Sequence, residues 1–208
     1  MSDAVEPTPR LPAAARRRQL LDVALDAFAE RGFHGTSMDD VAAAAGVTKP
    51  VLYQHFGSKR DLYVELLNDV GGQMEDVIAK AAAEADGPFH QVEAGFRAYF
   101  RYVERKEPAF LLLFGGGSKR DEGFADRVRQ VEGSIAELIA SFITARLPPE
   151  QTLTLAHGIV GMAESTCRHW LLQRSEGRMT ATADQLADQL AELAWAGLRG
   201  VGRHWTPS

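Results

Sequence analysis

Residues 36–59 read TSMDDVAAAAGVTKPVLYQHFGSK, and their punctuation decides the fold. Thr36 or Ser37 can cap a helix predicted over residues 38–45, and Asp39 and Asp40 fall in its first turn, where carboxylates favour the positive end of the helix dipole. Gly46 ends that helix, because glycine alone reaches left-handed backbone angles cheaply. Thr48 stands at the cap position of a second helix, and Pro50 is tolerated there because it falls in the first turn. Two short helices joined by a glycine turn form a helix-turn-helix, whose second helix enters the DNA major groove.

The chemistry of the second helix fits that use. Thr48, Lys49, Tyr53, Gln54, His55 and Lys59 crowd one segment, and each can donate a hydrogen bond; Val51, Leu52 and Phe56 would seat the helix on its neighbours. Most protein–DNA hydrogen bonds go to phosphates, and side chains of these types supply them. Lysine also matches guanine edges and glutamine matches adenine. On spacing alone, the alternative is an ordinary polar helix with His55 capping or packing.

The run from Arg17 to Leu67 resembles the DNA-binding domain of TetR-family transcriptional regulators, most closely in AFAERGFHGTSMDDVAAAAGV and KPVLYQHFGSKRDLYVELL. The resemblance implies an all-α homodimer, with three small helices that bind DNA and a larger helical domain that binds a small effector. It assigns phosphate contacts to the hydroxyl before the second helix, here Thr36 or Ser37, and to Thr48, Lys49, Tyr53, His55 and Lys59. It turns Pro50 and Gln54 toward base edges. Proline offers only apolar contact, for instance to a thymine methyl, so Gln54 is the leading base reader.

Composition agrees once it is divided. At 208 residues the chain holds a small module and a larger domain with a sizeable core. The net charge of −5 is unlike a DNA binder, but residues 1–60 carry 8 Lys/Arg against 7 Asp/Glu while residues 61–208 carry 15 against 21. The acidic excess belongs to the second part, and in the first the placement of cations matters more than their total. The single cysteine, Cys167, excludes an intrachain disulfide and suits a reducing cytosol. No apolar run approaches the roughly 18–20 residues that span a bilayer, so no membrane association is expected. The expected organisation is a disordered tail over residues 1–11, a DNA-binding domain over 12–58 and an effector-binding and dimerisation domain over 59–208. Arg16, Arg17 and Arg18 open the first helix and suit either contact with DNA or a solvated basic turn.

A succession of apolar stripes continues the chain. Helices are predicted over residues 12–31, 59–85, 88–106, 124–146, 150–173 and 186–201, with a short one through AFLLLF. Gly71-Gly72 mark either a bend or a close approach in the long helix. Gly115-Gly116-Gly117 lack the lysine spacing and preceding strand of a phosphate loop and read as a hinge. Small residues such as Ala156, Gly158, Gly161 and Ala163, with the broad apolar faces of the last helix, point to a homodimer formed through residues 150–174 and 182–201. A two-fold dimer should read an inverted-repeat operator in double-stranded DNA.

In the larger domain, Phe96, Tyr99, Phe100, Phe110, Phe114, Phe142, Met162, Cys167 and Trp170 are the candidate effector-binding residues, and they imply a mostly apolar pocket. Arg101, Glu164, Arg168 and His169 are candidate polar anchors. GIVGMAESTCRHWL and AELAWAGL resemble actinobacterial regulators of fatty-acid synthesis, which sense long-chain acyl-CoA. That resemblance implies a lipid-like effector, with Arg101, Lys106, Lys119 or Arg120 near its phosphates. The rival is a regulator of efflux that senses cationic or aromatic drugs, which would want buried carboxylates and stacked rings. No enzyme is expected: His34, His55, His90, His157, His169 and His204 show no ligand spacing, and GxSxG, P-loop and dinucleotide fingerprints are missing. No cofactor or metal is expected either.

Overall fold

The structure, a computed structural model, describes residues 12–115, 122–144 and 147–201. The expected N-terminal tail, Gly116-Gly117, Lys119 and Arg120 lie outside these residues. Among the described residues the chain folds into nine helices without a strand. It divides into two compact units, Met1–Leu66 and Leu67–Ser208. The division falls inside the long helix rather than at its start.

The first unit holds α1 (Ala13–Gly35), α2 (Met38–Ala44), α3 (Lys49–His55) and the opening of α4 (Lys59–Ala83). Leu20, Ala24 and Phe28 of α1, Val41 of α2, Leu52 of α3 and Leu62 of α4 are buried together in its core, and Tyr63 meets Phe28 edge-on at 5.0 Å. Helix α1 overruns the expected stop at Gly32: that residue is non-helical (φ 70°, ψ 173°), yet a further turn follows to Gly35. Ser37 and Asp40 close a reciprocal capping box at the start of α2. Gly46, at φ 64°, makes the turn into α3. Thr48 occupies the cap position of α3, but its hydroxyl makes no capping bond. Ser58 does cap α4, accepting from the Asp61 amide at 3.1 Å.

The second unit comprises the rest of α4, α5 (Pro88–Arg105), α6 (Glu107–Phe114), α7 (Glu122–Phe142), α8 (Pro149–Ser175) and α9 (Ala183–Gly200). The most extensive helix pairs are α5 on α9 and α7 on α8. The first is tied at its edge by Arg97 to Asp188 and Arg101 to Asp184. Helix α7 ends before the expected residue 146, and α9 starts three residues earlier than expected because Thr182 and Gln185 form a capping box. Gly71 is a close-approach site: a Cβ there would lie 2.7 Å from the methyls of Val131 on α7. Gly72 faces open space.

Candidate DNA interface and effector cavity

Helix α3 presents its polar residues outward. Thr48, Lys49, Pro50, Tyr53 and Gln54 are exposed and His55 is half-buried, while Leu52 and the C-cap Phe56 anchor the helix. Tyr53 is 43% exposed, a large ring left in solvent on a helix that has a core available. Lys49 donates to Asp39 across the turn at 2.8 Å, and that bond and charge hold its ammonium pKa above the ordinary lysine value.

The two candidate hydroxyls before α2 part company. Thr36 is buried, with its hydroxyl 3.0 Å from the carbonyl oxygens of Ala27 and Gly32, so it braces the end of α1. Ser37 is exposed at the capping box, and its bonds with Asp40 hold that carboxyl below its usual range. Lys59 is half-buried and donates to the carbonyls of Phe33 and Thr36.

The second unit contains an apolar cavity of about 230 Å³. Met74 and Ile78 of α4, Val92, Phe96 and Tyr99 of α5, Phe114 of α6, Ile135, Ile139 and Phe142 of α7, Ile159 and Val160 of α8, and Trp195 and Leu198 of α9 line it. Gln91, Thr144, Glu164 and Arg199 provide most of the polar lining. The expected effector set divides here. Phe96, Tyr99, Phe114 and Phe142 reach the cavity; Phe100, Phe110, Met162, Cys167 and Trp170 do not line it. Phe100, Phe110, Cys167 and Trp170 are instead buried in the core, with Phe100 edge-on to Trp170 at 6.1 Å and Phe110 tilted against Phe114 at 5.2 Å. Met162 is half-buried elsewhere on α8. The isoleucines of α7 and α8 were visible only as core periodicity, and no feature of the sequence distinguishes a stripe beside a void from one packed against another stripe.

The polar anchors divide similarly. Glu164 lines the cavity and pairs with Arg168 at 2.5 Å. Arg168 also donates to the Phe114 carbonyl, and His169 is exposed. Arg101 is held by Asp184, and Lys106 by Gln73 at 2.8 Å. The phenol oxygen of Tyr99 is buried without an oxygen or nitrogen partner among the described residues and faces the Cys167 thiol; burial pushes its pKa well above the usual range, so it stays a donor.

Two family models match the chain: bacterial regulatory proteins of the tetR family over residues 20–66, and the tetracyclin repressor-like C-terminal domain over residues 88–197. The chain belongs to the TetR family. It is a TetR-type DNA-binding transcriptional regulator, as its relatives are, and not an enzyme. It is 28% identical over 194 residues to the transcriptional activator FasR of Mycolicibacterium smegmatis, covering 92% of this chain and 87% of FasR. It is 32% identical over 113 residues to the repressor KstR2 of the same organism, about half of each chain (54%). A TetR-like regulator from Rhodococcus sp. RHA1 has the same fold, with a TM-score of 0.73, 30% identity, and coverage of 92% of this chain and 100% of that one. The FadR regulator of Bacillus subtilis, crystallised with stearoyl-CoA, shares the fold at a TM-score of 0.73 and 15% identity, covering 86% and 98%. Among the described residues of this TetR-family chain, no helix is long and apolar enough to cross a membrane, and no group of His, Cys, Asp and Glu is placed to hold a metal.

Proposed function

We propose that this regulator binds an inverted-repeat operator as a homodimer and that a long-chain acyl-CoA or similar lipid filling the α4–α9 cavity changes its operator affinity. Ser37, Thr48, Lys49, Tyr53, His55 and Lys59 serve the phosphates, and Gln54 with Pro50 faces the bases. Thr36, with its hydroxyl turned inward, supports Ser37 and the turn instead of contacting DNA. Helices α8 and α9 form the dimer face over residues 150–174 and 182–201. Leu172 and Leu193, at 55% and 62% exposure, supply apolar area there that the monomer core does not use.

The observation that carries the effector reading is the character of the lining. Its largely aliphatic walls suit an acyl chain. Among the described residues Glu164 is the sole carboxylate of the lining, and Arg168 already neutralises it, so a cationic drug finds no unpaired counter-charge there. The resemblance to regulators of fatty-acid synthesis points the same way. Arg199 and Gln91 are placed in the lining to meet the polar end of such a ligand.

An effector changes DNA binding only through its different affinity for the two states of the protein. Helix α4 carries cavity residues Met74 and Ile78 and also begins inside the DNA-binding unit, so it is the element through which filling acts. The test is a mobility-shift titration on duplexes selected by the protein from a random library, with and without stearoyl-CoA. Operator affinity that changes with stearoyl-CoA, and ceases to change when Ala163→Phe fills the cavity, supports the reading. Affinity indifferent to stearoyl-CoA in both proteins overturns the lipid assignment.

A further inference from the structure

From the N-terminal arginine run, the guanidinium of Arg17 makes three contacts with two other helices. From α1 it donates to the carbonyl oxygen of His55, the last residue of α3, at 2.8 Å. It pairs with the carboxylate of Glu65 on α4. Its guanidinium carbon lies 4.6 Å above the ring of Phe56, the C-cap of α3. Arg16, by contrast, only reaches along its own helix to Gln19, at 2.6 Å.

The position of these contacts matters more than their number. Helix α3 is seven residues long, too short to hold itself together, so its geometry is imposed by its neighbours. Its last carbonyls have no partner within the helix, and a cation there also meets the negative end of the helix dipole. Arg17 satisfies one of those carbonyls, covers the apolar C-cap ring and is itself held in place by Glu65. Leu52 and Phe56 fix how deep α3 sits, but apolar contacts resist rotation about the helix axis weakly. A directional bond to the His55 carbonyl resists it.

We infer that Arg17 is a positioning residue for the recognition helix, fixing the rotation and pitch of α3 by joining its C-terminal carbonyl to Glu65 of α4. It acts on operator recognition through α3, not by touching DNA. Because Glu65 lies on α4, the clamp also makes the placement of α4 felt at α3.

The experiment uses the full-length protein, a duplex it selects from a random library, and a scrambled duplex of equal length, at one fixed salt concentration. Affinities for both duplexes and the thermal midpoint are measured for Arg17→Gln, Arg17→Lys and the exchanged pair Arg17→Glu/Glu65→Arg. In Arg17→Gln the ratio of selected to scrambled affinity should fall about tenfold, the scale of losing a hydrogen bond to a charged group. Backbone amides of residues 51–55 should exchange hydrogen faster in the same variant. Lysine at 17 should recover part of the ratio. The exchanged pair should recover thermal stability without the ratio, because a glutamate at 17 repels the His55 carbonyl. Equal loss on both duplexes would make Arg17 a simple phosphate cation and overturn the inference. Recovery of the ratio by the exchanged pair would overturn it too, since the ion pair alone would then suffice. Should Arg17→Gln not fold, Arg17→Lys against the exchanged pair decides the matter on the same two readouts.

Discussion

The ammonium of Lys59 lies 2.8 Å from the carbonyl oxygen of Phe33 and 4.3 Å from the centroid of the same residue's ring. With a third contact at 3.0 Å to the Thr36 carbonyl, it closes the corner between α1 and α2. A helix end leaves its last carbonyls without partners, and one side chain satisfies two such oxygens here. Lys59→Ala should therefore cost about 2 kcal/mol of stability, from charged hydrogen bonds and the cation–π contact together. Urea unfolding followed by circular dichroism checks it. A lysine that served phosphate contact alone would leave the unfolding midpoint where it was.

Lys49 and Asp39 set up a competition. The lysine that the TetR resemblance assigns to phosphate spends its ammonium on a carboxylate 2.8 Å away, and both side chains are half or more exposed. DNA binding must either break that pair or drag a negative charge toward the phosphates. Asp39→Asn should raise operator affinity several-fold and steepen its dependence on salt concentration by about one unit of log–log slope. Fluorescence anisotropy titrations across a salt series read both. An unchanged slope would mean that Lys49 never meets DNA.

The sequence showed the first unit in more detail than the second, and the reason is local. Capping residues, a turn glycine and an N-terminal proline act within a few residues, so Ser37, Gly46 and Pro50 announced their roles. Helix stripes in the second unit were equally visible, and the helices from α4 to α9 follow from them. What periodicity could not show was which buried stripe adjoins empty space. Trp170 and Phe142 both sit on apolar faces; one fills the core and hydrogen-bonds the Ala181 carbonyl at 2.9 Å, and the other borders the cavity. Nor could it show that Arg17 turns inward, because that depends on Glu65 and His55, brought near only by folding.

Gly71 and Gly72 are neighbours with opposite expectations. At Gly71 a methyl would press on Val131 at 2.7 Å, and overpacking of that kind costs about 1–3 kcal/mol against a gain in helix propensity near 1 kcal/mol. Gly71→Ala should destabilise the protein, and less so in a Val131→Ala background, where the methyl has room. Gly72→Ala meets nothing and should stabilise by up to about 1 kcal/mol. Chemical denaturation of the four variants completes the cycle.

Cys167 is fully buried on α8, and loss of solvation pushes its thiol up to about 12. The thiolate is the reactive form, so the folded protein should resist Ellman's reagent at about pH 8 while the denatured chain reacts at once. The same shift has a sign for stability. The unfolded thiol loses its proton near 9, the folded one near 12, so folding is fully favoured below the first value and progressively disfavoured as pH rises toward the second. Cys167→Ser should remove that part of the alkaline decline.

Tyr99 separates the demands of folding from those of binding. Its phenol is a donor held near the Cys167 thiol and makes no hydrogen bond to an oxygen or nitrogen among the described residues, and a buried hydroxyl so poorly paired contributes little to stability. Tyr99→Phe should then leave the free protein unchanged or up to about 1 kcal/mol more stable. A ligand that brings a carbonyl into the cavity gains from the same donor, because a hydrogen bond made in apolar surroundings is not offset by water. Stearoyl-CoA should accordingly bind Tyr99→Phe about tenfold more weakly by calorimetry, the scale of one lost hydrogen bond. Weaker binding together with undiminished stability would mark Tyr99 as kept for its ligand. Equal binding with reduced stability would instead make the phenol a structural group that the Cys167 thiol satisfies.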